Sequence, residues 1–382
     1  MEILVIGGGI GGLAAALGLV RAGHGIELFE RQPELAEAGS GLVLSPNGVR
    51  ALDLLDVEAG RRIRERAADP APFPYLTPSG RVKAYGPALD LEERWGAPLV
   101  AIRRRELHAI LRDALPAGLV RAGRRLTQVA EADGTVTARF SDGSLARGEL
   151  LIGADGVRST VRQHVAPEAR LTYRGVTSVR GVAPVPGSPY PAGFLSQGRG
   201  LQVFATGLRG GGLYWAATVN APEGAWPSLD LVEIRRRLGE RLRSWHAPVP
   251  QLIRDTPDQE LVVTDVHDME PLRHWATKRV VLLGDAAHPM TPYLGQGANA
   301  AFEDAASLRR HLSEHPDVPS ALAAYEAARR GRAGKLARVS RRLGSLGQLE
   351  NPLGVALRDT GMRLFMRHMP GDANAWLYRF EP

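Results

Sequence analysis

Ile3-Leu4-Val5-Ile6-Gly7-Gly8-Gly9-Ile10-Gly11-Gly12-Leu13, a short apolar run that breaks into glycines, is the stretch on which the fold turns. The Ala- and Leu-rich residues 13–21 predict a helix stopped by Gly23, and Ile26-Glu27-Leu28-Phe29-Glu30 predicts a second strand. Strand, glycine turn, helix and strand in that order is the context that a dinucleotide fingerprint needs. Gly7 permits the tight turn, Gly9 lets the main chain approach a pyrophosphate, and Gly12 allows the helix to pack closely on the strand. With Gly11 beside them, these residues open a helix whose free N–H groups and partial positive charge suit phosphates. Glu30 ends the second strand, where a carboxylate can accept hydrogen bonds from the adenosine ribose. The glycines alone do not choose between FAD and NAD.

Working outward, 382 residues of 44% hydrophobic content can bury a large core and predict two domains. The chain has no cysteine, which rules out disulfides, thiolate metal sites and cysteinyl attachment of a cofactor. Residues 1–6 run directly into the glycines and leave no room for a signal peptide, and no apolar run is long enough to span a bilayer. A cytoplasmic location is therefore expected. The net charge of +7 is matched by Arg329, Arg330, Arg332, Lys335, Arg338, Arg341 and Arg342, a stretch with no acid. It reads as a solvated helix face, with attraction of an anionic dinucleotide or membrane surface as the alternative. No interleaved aromatic motif accompanies it, so nucleic acid is not expected as a partner. No metal-ligand spacing is evident either.

Two further apolar strands end in acidic turns. Leu150-Leu151-Ile152-Gly153-Ala154-Asp155-Gly156-Val157-Arg158-Ser159 carries an Asp-Gly pair. Val280-Val281-Leu282-Leu283-Gly284-Asp285-Ala286-Ala287-His288-Pro289 carries a Gly-Asp pair, and leads through Pro292 to Gly295-Gln296-Gly297-Ala298-Asn299 and a predicted helix over 300–312. With the N-terminal glycines, these motifs in this order resemble the class A flavoprotein monooxygenases, the para-hydroxybenzoate hydroxylase family. The likeness spans nearly the whole chain.

That resemblance implies an α/β fold: a Rossmann-like FAD-binding domain with an inserted β-sheet substrate domain and C-terminal helices. The FAD-binding part would comprise 1–71, 101–170 and 270–342. The substrate part would comprise 72–100 and 171–269, and 343–382 would form a helical segment covering the FAD domain, with peripheral membrane contact or dimerisation as alternatives. The strands expected for the substrate layer include Gly200–Phe204 and Leu213–Val219. The implied cofactors are FAD and NAD(P)H, with O2 and a small aromatic molecule as substrates and a monomer or homodimer as the assembly. Reduced flavin would react with O2 to a C4a-hydroperoxide that hydroxylates an electron-rich ring. The alternatives are an oxidoreductase of this fold without oxygen insertion, or a non-catalytic flavin binder.

Residue by residue, the resemblance assigns Asp285 to the ribityl chain, with Gly284 admitting the main chain. Gly295, Gly297, Ala298 and Asn299 would aim N–H groups at the flavin pyrimidine edge. Asp155 would hold its turn near the pyrophosphate. In Ile102-Arg103-Arg104-Arg105-Glu106-Leu107, Arg104 is chosen as the residue that reaches the flavin. Arg31, Val43 and Leu126 complete the cofactor-binding set. Pro292, Arg180 and Tyr214 are the candidates for the reacting centre, with Gln202 beside them, and Arg180 suits a phenolate or carboxylate. His288 is expected to be packed rather than catalytic.

Overall fold

The structure is a computed structural model that describes residues 1–35, 41–66, 68, 74–85, 91–190, 192–368 and 374–381. Elements are numbered in chain order. A five-stranded sheet runs β17 (Val280–Leu282), β11 (Leu150–Gly153), β1 (Glu2–Ile6), β2 (Gly25–Phe29), β7 (Val120–Arg121). Every neighbouring pair in it is parallel. Parallel strands need helical crossovers that cover both faces, so the central β1, β11 and β17 are near-continuous apolar runs rather than alternating. Ile3, Val5, Leu150, Leu151, Ile152, Val280 and Val281 are all fully buried. Helix α1 (Ile10–Arg21) begins at the glycines and α9 (Gly297–Glu314) packs against it; a Cβ on Gly11 would sit 3.2 Å from that of Ala301.

A seven-stranded sheet runs β16 (Val262–Met269), β12 (Leu171–Ala183), β15 (Leu213–Asn220), β14 (Leu201–Gly207), β13 (Gly193–Gln197), β4 (Pro74–Leu76), β5 (Val82–Tyr85). The stretch 72–100, expected to join this layer, supplies β4 and β5 and a short helix α4 (Leu91–Trp95); residues 72–73 and 86–90 lie outside the described residues. Strand alternation gives the sheet two unlike faces. Val179, Phe194, Val203, Ala205, Trp215 and Ala217 point to a dry core closed by α7 (Leu231–Leu242) and α8 (Val249–Asp255). Their neighbours Arg180, Gln202, Phe204, Tyr214 and Thr218 share the other face, because Arg180 pairs with Ala216, Val182 with Tyr214, and Gln202 with Thr218.

The remaining helices are α2 (Pro46–Leu55), α3 (Val57–Arg66), α5 (Arg104–Asp113), α6 (Thr160–Val165), α10 (Val318–Gly347), α11 (Pro352–His368) and α12 (Ala375–Tyr378). A two-stranded ladder joins β3 (Gly41–Leu44) to β6 (Val100–Arg103), and β8 (Leu126–Ala132), β9 (Thr135–Phe140) and β10 (Leu145–Gly148) form a separate meander. Among the described residues no helix is long and apolar enough to cross a membrane.

The basic stretch 329–342 lies on α10, and the structure corrects its reading as a solvated face. Arg329 is buried, with Nε 2.8 Å from Asp304 and Nη1 2.7 Å from Glu303. Arg332 reaches Glu303 at 2.6 Å, and Arg341 reaches Asp268 at 2.7 Å. Those arginines neutralise buried carboxylates, which a charge run alone cannot reveal. Arg330, Lys335, Arg338 and Arg342 remain exposed.

Candidate functional site

The glycine, Asp-Gly and Gly-Asp turns follow the carboxyl ends of β1, β11 and β17, three adjacent parallel strands. In an open α/β sheet that edge is where ligands bind. Main-chain bonds stitch the turns side by side: Gly7 N–H to Phe29 O at 2.8 Å, Ala154 N–H to Ile6 O at 2.8 Å, and Leu283 N–H to Gly153 O at 2.9 Å. Gly7 has φ of +111°, and a Cβ there would lie 2.3 Å from Ala154 O. A Cβ on Gly12 would come within 1.9 Å of Gly7 O, so the helix can start this close only without one. Gly9, between them, faces open space.

Glu30 closes this corner by accepting from Gly8 N–H at 2.7 Å and Gln32 N–H at 2.8 Å, while the buried ring of His108 meets Gly8 O at 2.8 Å. Arg31 is exposed next to Glu30. Leu126 has its side chain in the core, so a nucleotide contact from it would come from its main chain.

Asp155 works chiefly on its own turn. It accepts from Ser159 Oγ at 2.5 Å and from Thr160 N–H at 2.6 Å, which caps the start of α6. Burial pushes its carboxyl up, against those hydrogen bonds. Arg162, in α6, then joins the two acidic turns by donating to Ala286 O at 2.9 Å and Val157 O at 2.5 Å.

Asp304 anchors the Gly-Asp turn from α9, accepting from Gly284 N–H at 3.0 Å and from His288 Nε2 at 2.5 Å. His288 is therefore packed with a carboxylate partner sixteen residues away. Burial opposes its charge, but the Asp304 carboxylate holds its pKa above the ordinary value.

Asp285 itself is half-buried, and among the described residues nothing donates to its carboxylate. Burial raises its pKa, countered by the charges of His288, Arg104 and Arg162. Its Oδ1 lies 4.0 Å from where a Cβ of Gly297 would stand, so the acid and the first residue of α9 line one space. Gly295, with φ of +66°, is exposed and also faces open space.

Asn299 contributes more than a main-chain N–H. Its Oδ1 accepts from Ser45 N–H at 2.9 Å and its Nδ2 donates to Val43 O at 3.3 Å, bracing β3 against α9. Gln296 adds bonds to Ser45 Oγ and Asn47. Pro292 is exposed at the start of a turn that Ser340 of α10 clamps through Thr291 O at 2.6 Å and Leu294 N–H at 3.2 Å.

The mixed face of the seven-stranded sheet stands opposite these turns. Gly41 of β3 abuts the Tyr214 ring, and Gln348 bridges Tyr293 OH at 3.2 Å to Thr218 Oγ1 at 2.6 Å. Arg180 donates to Thr264 Oγ1 at 3.2 Å, and its buried Nε has no partner among the described residues. Burial raises the Tyr214 phenol, opposed by the charges of Arg180 and Arg104; the Arg104 charge also bears on Asp285, so it is felt on both surfaces. Gln202 is buried and accepts from Gln197 at 3.1 Å.

These features fit an extended flavin dinucleotide. Two helix N-termini, open space over Gly9 and Gly295, and an acid with no donor among the described residues lie along one sheet edge. Reasoning from sequence missed Ser45, Asn47, His108, Arg162, Gln296, Asp304 and Ser340. Only Gln296 lay inside a quoted motif, with Arg162 three residues past the Asp-Gly stretch; the rest carry no local signal.

The sequence profile of the FAD binding domain family matches residues 1–340. The chain is 38% identical to the aurachin C monooxygenase/isomerase of Stigmatella aurantiaca, over 95% of this chain and 94% of that one. It is 35% identical to the 6-hydroxynicotinate 3-monooxygenase of Bordetella bronchiseptica, over 92% of this chain and 93% of that one. Among solved structures, Klebsiella pneumoniae HpxO complexed with FAD and uric acid superposes with a TM-score of 0.90 at 30% identity, covering 99% of this chain and 97% of that one. The motif turns, the parallel sheet beneath them and these relatives agree: the chain belongs to the FAD binding domain family, in its class A flavoprotein monooxygenase branch.

Proposed function

We propose that this enzyme, an FAD-dependent monooxygenase, hydroxylates a small aromatic or heteroaromatic ring that carries an acidic oxygen, using a reduced nicotinamide cofactor and O2. The observation that supports this most is the meeting of two surfaces. The Gly-Asp turn and α9 start offer a flavin cradle, and across from it Arg180 and Tyr214 sit on an otherwise packed sheet. Bound FAD would supply the redox chemistry, taking electrons from the nicotinamide and activating oxygen.

The protein's own part is binding, orientation and exclusion of water. Gly7, Gly9, Gly11 and Gly12 would seat the pyrophosphate on the α1 N-terminus, with Glu30 and Arg31 at the adenosine end. Asp285 would accept from the ribityl hydroxyls, a role for which a carboxylate with no donor among the described residues is suited. Gly284 would admit the main chain, and Asp155 would hold its turn at the pyrophosphate. Gly295, Gly297, Ala298 and Asn299 would present N–H groups where the ring system gains negative charge. Val43, Leu126 and Arg104 would complete the cradle.

Arg180 would pair with a phenolate or carboxylate of the substrate through its Nε, which has no partner among the described residues, and Tyr214 would orient the ring over the face that Pro292 borders. A ring held there is shielded by the sheet from bulk water. On this reading residues 1–71, 101–170 and 270–342 form the flavin part, 72–100 and 171–269 the substrate part, and 343–382 the helical cover. We place the enzyme in the cytoplasm, where reduced nicotinamide is generated, as a monomer or homodimer.

The test screens aromatic acids, phenols and N-heterocycles for stimulation of NADH and NADPH oxidation by the FAD-loaded protein, then repeats the best under isotopically labelled O2. One labelled oxygen atom in the product is expected. A product without label would overturn the hydroxylase assignment.

A further inference from the structure

Helix α11 has one side tied to the protein and one that is not. Inward, Arg358 donates to Gly198 O and Gly347 O, each at 3.1 Å, and Asp359 pairs with the enclosed Lys83 at 2.9 Å. Outward, Leu353 is 76% exposed, Leu357 74%, Leu364 57% and Phe365 60%. Leu353, Leu357 and Leu364 are spaced by four and seven residues, so they form one stripe along the helix. Arg363 and Arg367, both exposed, flank that stripe. Near its end α10 also carries exposed Leu343 and Leu346, with Arg342 next to them.

Large apolar side chains grouped on a surface mark a contact site rather than ordinary exposure. The charges around them narrow the occupant. Between Ala327 and His368 the only acids are Glu350, whose carboxylate accepts from Asn220 at 2.8 Å, and Asp359, which is committed inward. Pairing two copies through this face would set arginine against arginine, and among the described residues of these two helices no uncommitted carboxylate compensates. An anionic layer that is apolar just beneath matches both features, and an apolar stripe flanked by arginines is what a helix lying in a bilayer interface presents. At 17 residues and with this polarity α11 would lie on such a surface rather than cross it.

We propose that the outward face of α11 docks the enzyme reversibly on the surface of an anionic phospholipid bilayer. The helix rests on the Gly198–Gly200 turn between β13 and β14, so docking would bring one end of the substrate-side sheet close to the lipid. The inference does not depend on which ring is hydroxylated.

The test is flotation of the FAD-loaded protein with vesicles of phosphatidylglycerol and phosphatidylcholine in equal parts, and with phosphatidylcholine alone. Binding is expected to the mixed vesicles, weakened by salt. A basic side chain near an anionic surface contributes about a factor of five, so Arg363→Gln with Arg367→Gln should lower partitioning about 25-fold. Leu357→Glu with Leu364→Glu should lower it by about tenfold or more. Both double variants should keep wild-type NAD(P)H oxidation without vesicles, which shows that they fold. The proposal is overturned by no flotation, by equal binding to both vesicles, or by flotation that neither double variant reduces. It is also overturned if sedimentation finds a dimer that Leu357→Glu with Leu364→Glu disperses while vesicles capture nothing.

Discussion

Asp304→Asn removes one charge from the centre of the buried network that holds the Gly-Asp turn. Asp304 is fully buried and receives Gly284 N–H, His288 Nε2 and Arg329 Nε at 3.0, 2.5 and 2.8 Å. Taking one partner from a buried ion pair costs about 3–5 kcal/mol. Arg329 keeps Glu303 at 2.7 Å, which favours the lower end, about 3 kcal/mol. The charge state gives a second route. Burial opposes ionisation of Asp304, but His288 and Arg329 hold its pKa down from 3.8 to about 2, which corresponds to about 2 kcal/mol. A depressed carboxyl contributes this stability above its unfolded pKa and loses it as pH falls from about 4 towards 2.

The same substitution should reverse the pH behaviour of His288. In the wild type Asp304 keeps its pKa raised, so its contribution is complete below 6.5 and fades only as pH rises through the higher folded value. With an amide at 304 burial governs instead, the folded pKa drops below 6.5, and stability falls as pH is lowered from 7 to 5. Urea unfolding of both proteins at pH 8, 7, 6 and 5 reads both effects. We expect about 3 kcal/mol lost at pH 7 and a further loss towards pH 5 in the variant alone. A difference under about 1 kcal/mol, with parallel pH profiles, would refute the role given to Asp304.

Gly12→Ala forces a Cβ to within 1.9 Å of Gly7 O, so the expressed protein should carry little flavin and lose about 3 kcal/mol, read from visible absorbance and thermal melting. Asp285→Ala, which leaves the fold intact, should weaken FAD binding about 10- to 100-fold, measured by titrating the apoprotein. Arg180→Gln should raise KM for an acidic aromatic substrate about tenfold or more while flavin content stays unchanged; an equal effect on a neutral ring would remove Arg180 from substrate recognition.

What could be read in the sequence was local. Gly7, Gly9 and Gly12 announce themselves because a turn, an approach and a helix contact all fall within six residues, and Asp155 and Asp285 each end an apolar strand. Their meeting followed only from the family likeness, since nothing local says that β17, β11 and β1 are neighbours. The bracing residues were illegible for the same reason. Asn299 reads as a helix-start N–H donor, but its side chain spends itself on Val43 and Ser45, over 250 residues earlier. Asp304 meets Arg329 across two helices, and the charge run around Arg329 looked like solvent-facing polarity because its carboxylate partners lie on α9. Arg329 and Arg332, three apart and facing Glu303 and Asp304, were the one pattern that pairing the helices would have exposed.

On the proposed reading one FAD lies along the carboxyl edge of β17, β11, β1 and β2 with its ring beside Gly295–Asn299. Titrating flavin-free protein with FAD, while following the visible band and flavin fluorescence, tests it most directly. One equivalent should bind, with a shifted band, in the wild type, and binding should be weakened by Asp285→Ala and abolished by Gly12→Ala. Protein that binds no FAD, or binds it equally in all three forms, would contradict the account.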